Sequence, residues 1–182
     1  MMNYYEFLRN KTTQFNSVGL DVKKEELNNT LFEWQKECVL WALKKGRCAL
    51  FESCGLGKTI QQLEWAYQVH KKTGGNVLIV APLGVAVQTA KEEAPKVHID
   101  VNIIRSNDGI KDGINIINYE MIDNIDSNKF IGVVLDESSI LKNFTGSTRT
   151  KITEKFKDTP YKLCCTATPS PNDTTELCNH AE

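Results

Sequence analysis

The sequence predicts an α/β fold, a mostly parallel sheet with helices on both faces, from three observations. Short β-rich runs alternate with runs of helical period, a glycine-rich turn joins one such strand to a helix, and a later strand ends in an acidic pair. With 182 residues, 41% hydrophobic and 25% charged, the chain has material for one substantial core. A net charge of −1 excludes the global basic field of a dedicated nucleic-acid binder. The longest apolar stretch, residues 77–87, is interrupted by Pro82 and too short to span a bilayer, and residues 1–14 lack the apolar run of a secretory signal. A cytoplasmic protein with no membrane partner is therefore expected. None of the six cysteines forms a C-x-x-C pair, and Cys164 and Cys165 lie in an apolar run where buried thiols are expected. His70, His98 and His180 show no ligand-like spacing, so no histidine metal site is expected.

Residues 1–29 read as a polar N-terminal extension whose Tyr4, Phe7 and Leu8, at helical spacing, would pack on the domain formed by residues 30–182. In LFEWQKECVLWALKKG (31–46), Trp34, Cys38 and Trp41 recur at i, i+4 and i+7, and Lys44, Lys45 and Gly46 make a helix stop. CALFE (48–52) is a buried-strand candidate. From Lys58 the pattern Ile60, Leu63, Tyr67 is helical again and closes at Lys71, Lys72, Gly74 and Gly75. NVLIVAP (76–82) predicts a strand, followed by a helix that should end before Pro95. VNIIR (101–105), INIIN (114–118) and FIGVVLDE (130–137) are further strands. Ser147 opens a helix carrying Ile152 and Phe156, YKLCCTA (161–167) is another strand, and Asn172 and Asp173 with Glu176 suggest one more helix start. Residues 142–162 hold six basic side chains against two acidic ones, a solvated helix face or a nucleic-acid contact.

The chemistry concentrates in ESCGLGKTIQ (52–61). A strand, a glycine-rich turn and a helix opening at Lys-Thr make the context that a phosphate-binding loop requires. Backbone N–H groups of Ser53, Cys54, Gly55, Leu56 and Gly57 would converge on phosphate oxygens at the positive end of the helix. Lys58 would reach the β- and γ-phosphates, and the Thr59 hydroxyl would ligate magnesium. Chance alone produces G-x-G-K-[ST] in about one chain in a hundred of this length, so its placement between strand and helix adds weight. Glu52 departs from the general pattern: it stands where such loops carry a first glycine. Asp136 and Glu137, closing a second strand, supply what hydrolysis needs besides the cradle. Asp136 would hold magnesium and Glu137 would polarise the attacking water.

Gln35, GLGKT, DESSILKN and TATP, in this order and spacing, resemble the first RecA-like domain of a superfamily 2 helicase or translocase of the Swi/Snf-like branch. The resemblance covers about residues 30–180. It implies a three-layer RecA-like domain that binds ATP and Mg2+ and couples hydrolysis to remodelling of nucleic acid, DNA more than RNA. By resemblance Gln35 reads the adenine, and an acidic residue before G-L-G-K-T, as at Glu52, is a family habit. The segments around residues 77–92 and 114–122, the latter with Tyr119 and Glu120, resemble nucleic-acid contacts. Thr166 and Thr168 take the hydroxyl positions of the motif that links hydrolysis to those contacts, while Ser138 and Ser139 replace the family's Ala-His. Residues 1–182 are expected to hold the first RecA-like domain without the second, so the resemblance implies slow or no turnover unless another domain, in cis or trans, completes the cleft. Two other readings compete: another P-loop NTPase, and a non-catalytic module that binds nucleotide or a partner.

Overall fold

A computed structural model describes residues 18–139 and 146–169. The expected alternation is present throughout: α1 (Glu33–Lys45), β1 (Arg47–Phe51), α2 (Lys58–Thr73), β2 (Val77–Ala81), α3 (Leu83–Gln88), β3 (Val101–Ile103), β4 (Ile114–Asn118), β5 (Gly132–Leu135), α4 (Gly146–Lys155) and β6 (Tyr161–Thr166). The strands form one six-stranded sheet in the order β1-β6-β5-β2-β4-β3, and every pairing is parallel. Parallel neighbours cannot be joined by hairpins, which is why helices or long loops separate the strands in sequence.

β2 shows how the sheet is covered. All five of its residues are buried, and they alternate between two cores. Val77, Ile79 and Ala81 face the cluster built with Val39, Leu43, Leu63 and Val69 of α1 and α2. Leu78 and Val80 face the cluster of Ile104, Ile122, Phe130, Ile152 and Phe156. A strand apolar at every position is what burial on both faces demands, so the unbroken run VLIVA reads correctly as an interior strand.

Three sequence expectations change in detail. The helix α1 forms, but its Trp34–Cys38–Trp41 stripe is the outer one, with Trp34 and Trp41 42% and 47% exposed; Val39, Ala42 and Leu43 make the buried face. The helix after β2 does not stop before Pro95. It passes through a π turn (Thr89–Glu93) into a last segment, Ala94–Lys96, that holds Pro95 in its first turn. There the missing N–H costs little, and the widened turn relieves the ring. β5 ends at Leu135, leaving Asp136 and Glu137 in the turn beyond it. The basic stretch is split as well: Lys151 faces Asp123 at 3.6 Å and Lys162 donates to the Lys157 carbonyl, while Lys142 lies outside the described residues. The expectations for Tyr4, Phe7, Leu8 and the helix start at Asn172 also fall outside them.

Glu64 of α2 is 1% exposed, and its Oε1 accepts from the Asn28 N–H (3.3 Å) and Gln68 Nε2 (2.9 Å). Burial pushes its pKa above 4.5, and the two hydrogen bonds offset only part of that. A carboxyl raised in the folded state contributes stability that is full below its unfolded pKa and is lost as pH rises through the folded value. Glu64→Gln is therefore expected to raise the urea midpoint at neutral pH and to leave it nearly unchanged near pH 4. A neutral-pH midpoint equal to or below that of the parent chain contradicts this account.

Candidate nucleotide site

Because every pairing is parallel, all strand C-termini open on one edge of the sheet. β1, β6 and β5 are neighbours there, with Phe51 opposite Thr166 and Leu135 opposite Cys164. The loop after β1, the TAT segment after β6 and the acidic pair after β5 are thus brought side by side. The sequence motifs lie up to about a hundred residues apart and carry no information on this adjacency.

The loop runs from Glu52 to Gly57, with Ser53, Cys54, Gly55 and Leu56 exposed. Gly55 and Gly57 have φ of 82° and 75°, a left-handed backbone that a side chain would strain, and a Cβ on Gly57 would come within 2.5 Å of Gln35 Nε2. Gly57 is the N-cap of α2, and no described side chain caps the helix or places an acid in its first turn. The first-turn N–H groups therefore point into the loop as an anion site. Lys58 Nζ donates to the carbonyls of Glu52 (2.9 Å) and Ser53 (3.1 Å), at the mouth of the loop.

Two glutamines hold the loop from beneath. Gln35, 4% exposed, donates from Nε2 to the Leu56 carbonyl at 3.0 Å and accepts the Phe32 N–H at 2.9 Å. Gln61, with no exposed surface, donates to Glu52 Oε2 at 2.7 Å and, more weakly, to the Leu56 carbonyl at 3.4 Å. The residue beside it, Gln62, turns the other way and donates to Asp136 Oδ1 at 2.6 Å. Neither Gln61 nor Gln62 is singled out by the sequence pattern, whereas Gln35 is. The signal available was IQQLEWA, an amide pair in a run otherwise read as helix core, where buried amides must find partners.

Asp136 is 5% exposed, and burial is the main cause that raises its pKa; the Gln62 hydrogen bond is the largest opposing effect, and Lys58 also lowers it. Its backbone is fixed on both sides, the N–H to the Val80 carbonyl at 2.9 Å and the carbonyl to the hydroxyl of buried Tyr119 at 2.7 Å. Glu137 follows with φ of 47°, left-handed for a non-glycine residue. Such a conformation costs about 1 kcal/mol and persists where surrounding contacts enforce it. Thr166 Oγ1 makes a long contact (3.5 Å) to Glu137 Oε2 and accepts the Thr168 N–H at 3.1 Å, and Thr168 Oγ1 lies 3.3 Å from Ser139 Oγ. The pair that replaces Ala-His thus does connect to the TAT segment, through a hydroxyl.

Gln35, the loop residues 53–57, Lys58, Thr59, Asp136, Glu137, Thr166 and Thr168 therefore share one end of the sheet. The residues fit a magnesium–triphosphate group: loop N–H donors and Lys58 suit phosphate oxygens, and the Thr59 hydroxyl and Asp136 carboxylate are the hard oxygen donors that Mg2+ takes. A concavity of about 620 Å3 lies elsewhere, lined by Asn76, Lys129, Ile131, Glu154 and Pro160 near the strand N-termini, and holds none of these residues.

A parallel sheet whose C-terminal edge combines an uncapped helix N-terminus, a G-L-G-K-T turn and an acidic pair defines the P-loop nucleotide-binding class of α/β domains. Residues 34–179 match the SNF2-related domain, and the chain belongs to that family. It is 26% identical over 175 residues to the mouse DNA annealing helicase and endonuclease ZRANB3, covering 87% of this chain and 16% of that protein. Against human chromodomain-helicase-DNA-binding protein 7 the identity is 27% over 186 residues, covering 82% of this chain and 6% of that one. The chain thus spans a small fraction of these relatives. Among solved structures, the Sulfolobus solfataricus SWI2/SNF2 ATPase core in complex with dsDNA aligns with a TM-score of 0.71 at 20% identity, covering 87% of this chain and 36% of that one. The UvsW helicase of bacteriophage T4 aligns at 0.69 and 13% identity, covering 98% and 65%. The fold is the RecA-like one of helicase ATPase domains. Among the described residues, no helix is long and apolar enough to cross a membrane.

The Gln62–Asp136 hydrogen bond generates a test. Losing a partner that orients a metal-binding carboxylate typically costs 10- to 100-fold in metal affinity. Gln62→Leu is expected to raise the Mg2+ concentration needed for half-maximal nucleotide binding about tenfold, read by calorimetric titration at fixed nucleotide. An unchanged requirement would mean that Gln62 serves packing alone.

Proposed function

We propose that this chain is the ATP-binding motor half of a nucleic-acid-dependent ATPase of the helicase or DNA-translocase type, completed by a second RecA-like domain. Residues 30–182 make up the motor half and 1–29 an extension to it. The observation that carries this reading is the convergence of the β1 loop, the β5 acids and the β6 threonines on three adjacent strand ends.

In this reading Gln35 contacts adenine, beside the loop that it already braces. The N–H groups of residues 53–57 hold the phosphates, and Lys58 exchanges two loop carbonyls for the β- and γ-phosphates. Thr59 and Asp136 hold Mg2+, which when bound neutralises charge on the phosphate oxygens. Glu137 orients and deprotonates the attacking water, with Thr166 steadying its carboxylate. The chain Glu137–Thr166–Thr168–Ser139 carries the state of the γ-phosphate toward the nucleic acid. DNA is the expected track, in line with the DNA-acting names of the relatives. It would pass over the strand ends at Pro82 and residues 118–120, where Leu83 stands 61% exposed. An arginine finger from the second domain is worth about 10³- to 10⁵-fold in rate, so this half alone is expected to turn ATP over slowly.

The test is calorimetric titration of the chain with Mg2+ and a slowly hydrolysed ATP analogue. The parent chain is expected to bind, and Lys58→Ala to weaken binding more than tenfold, as loss of charge-assisted phosphate contacts should. Equal affinity in the two would falsify the cradle. Rapid turnover by the isolated chain with DNA would contradict the need for a second domain.

A further inference from the structure

Glu52 sits at the base of the phosphate loop, where a carboxylate is electrostatically the wrong group. An anion there opposes the phosphates that the helix N-terminus and Lys58 attract. Its geometry points to a mechanical task. The Glu52 N–H continues the β1–β6 ladder to the Thr166 carbonyl at 3.3 Å, so its backbone is an extension of the sheet. Its carbonyl accepts from Lys58 Nζ at 2.9 Å. Its carboxylate turns away from the loop mouth into the protein, where Oε2 accepts from Gln61 Nε2 at 2.7 Å. Oε1 is buried and finds no hydrogen-bond partner among the described residues. The Cys38 thiol lies close enough that, after burial, Glu52 is the next cause raising its pKa. Gln61 is wholly buried, and the same Nε2 that binds Glu52 also reaches the Leu56 carbonyl, which Gln35 holds from its own side.

We propose that Glu52 is a positioning residue for the nucleotide loop: through Gln61 it fixes the Leu56 carbonyl at the loop's far end, and through its own carbonyl it stations Lys58. The two ends of the loop, residues 52 and 56, are thereby tied by one buried amide. This replaces the turn that a first glycine makes in the general pattern with a hydrogen-bonded brace. The proposal rests on the nucleotide reading above. It implies a counterintuitive result: restoring the general pattern with Glu52→Gly should damage the site.

The experiment titrates the full chain and its variants with Mg2+ and a non-hydrolysable ATP analogue, with thermal unfolding of each variant alongside. Glu52→Gly and Gln61→Leu are each expected to bind about tenfold more weakly, the fold-change for one lost hydrogen bond to a charged acceptor. Glu52→Gln keeps an acceptor oxygen in the same place and is expected to stay within about threefold of the parent. The double variant Glu52→Gly with Gln61→Leu is expected to be no weaker than either single one, because both changes remove the same link. Glu52→Gly binding as tightly as the parent, or a double variant whose losses multiply, overturns the proposal. Where the glycine variant does not fold, Glu52→Gln decides: a loss beyond tenfold shows a role of charge and not of an acceptor, and overturns it as well. No binding by the parent chain removes the nucleotide reading and this proposal together, whereas parent binding that Glu52→Gly leaves intact removes this proposal alone.

Discussion

Parallel pairing of β1 with β6 and of β6 with β5 is the constraint on which the site depends. Each strand delivers one group of functional residues at its C-terminus, and only neighbouring strands with a common direction place those groups within hydrogen-bond reach. The register does this by pairing Phe51 with Thr166 and Leu135 with Cys164, which leaves Glu52 to follow level with Ala167 and Asp136 level with Cys165 on the intervening strand. An antiparallel β6 would send Thr166 and Thr168 to the far edge, some five residues or about 17 Å away. The sheet that holds these strands is covered on both faces, with β2 and β4 contributing residues to each of the two apolar cores.

Within that frame the interior beneath the site is unusually polar. Gln35, Gln61, Gln62 and Asp136 are all buried, and Tyr119 joins them through its hydroxyl. Burying such groups gains little over burying apolar ones, since a hydrogen bond inside the protein contributes about 1 kcal/mol net while an unpaired group costs about 1–3 kcal/mol. The consequence is geometry more than stability. Each amide fixes one functional atom: Gln35 and Gln61 the Leu56 carbonyl, Gln62 the Asp136 carboxylate. The raised pKa of Asp136 and the left-handed backbone of Glu137 are both unfavourable for folding alone, and both sit at the residues assigned to metal and water.

The elements were legible because each leaves a local trace. VLIVA is apolar at every position, Gly46 and Gly74 follow lysine-rich helix ends, and GLGKT needs only its neighbours to be recognised. Facing was less legible. Trp34 and Trp41 form the most conspicuous stripe of α1 and yet look outward, because the smaller Val39, Ala42 and Leu43 are what the space against α2 and β1 accepts. Pro95 misled for a related reason: the π turn that accommodates it is a property of the whole helix and not of the proline. The supporting shell was not legible at all, since nothing in IQQ distinguishes which amide turns toward Glu52 and which toward Asp136.

The order of amino acids alone specifies the set of parts: strands and helices in alternation, a phosphate loop with an acid in front of it, an acidic pair and a TAT segment, with the family they resemble. These depend on residues close together in the chain, whose conformational preferences and spacing act locally. Packing in three dimensions sets the strand order that makes the parts neighbours, the outward face of α1, and the partners of Gln61, Gln62 and Glu52. Those depend on groups as far apart as Gln62 and Asp136, 74 residues distant, and become determined only when burial forces the amide N–H groups beneath the loop to find acceptors.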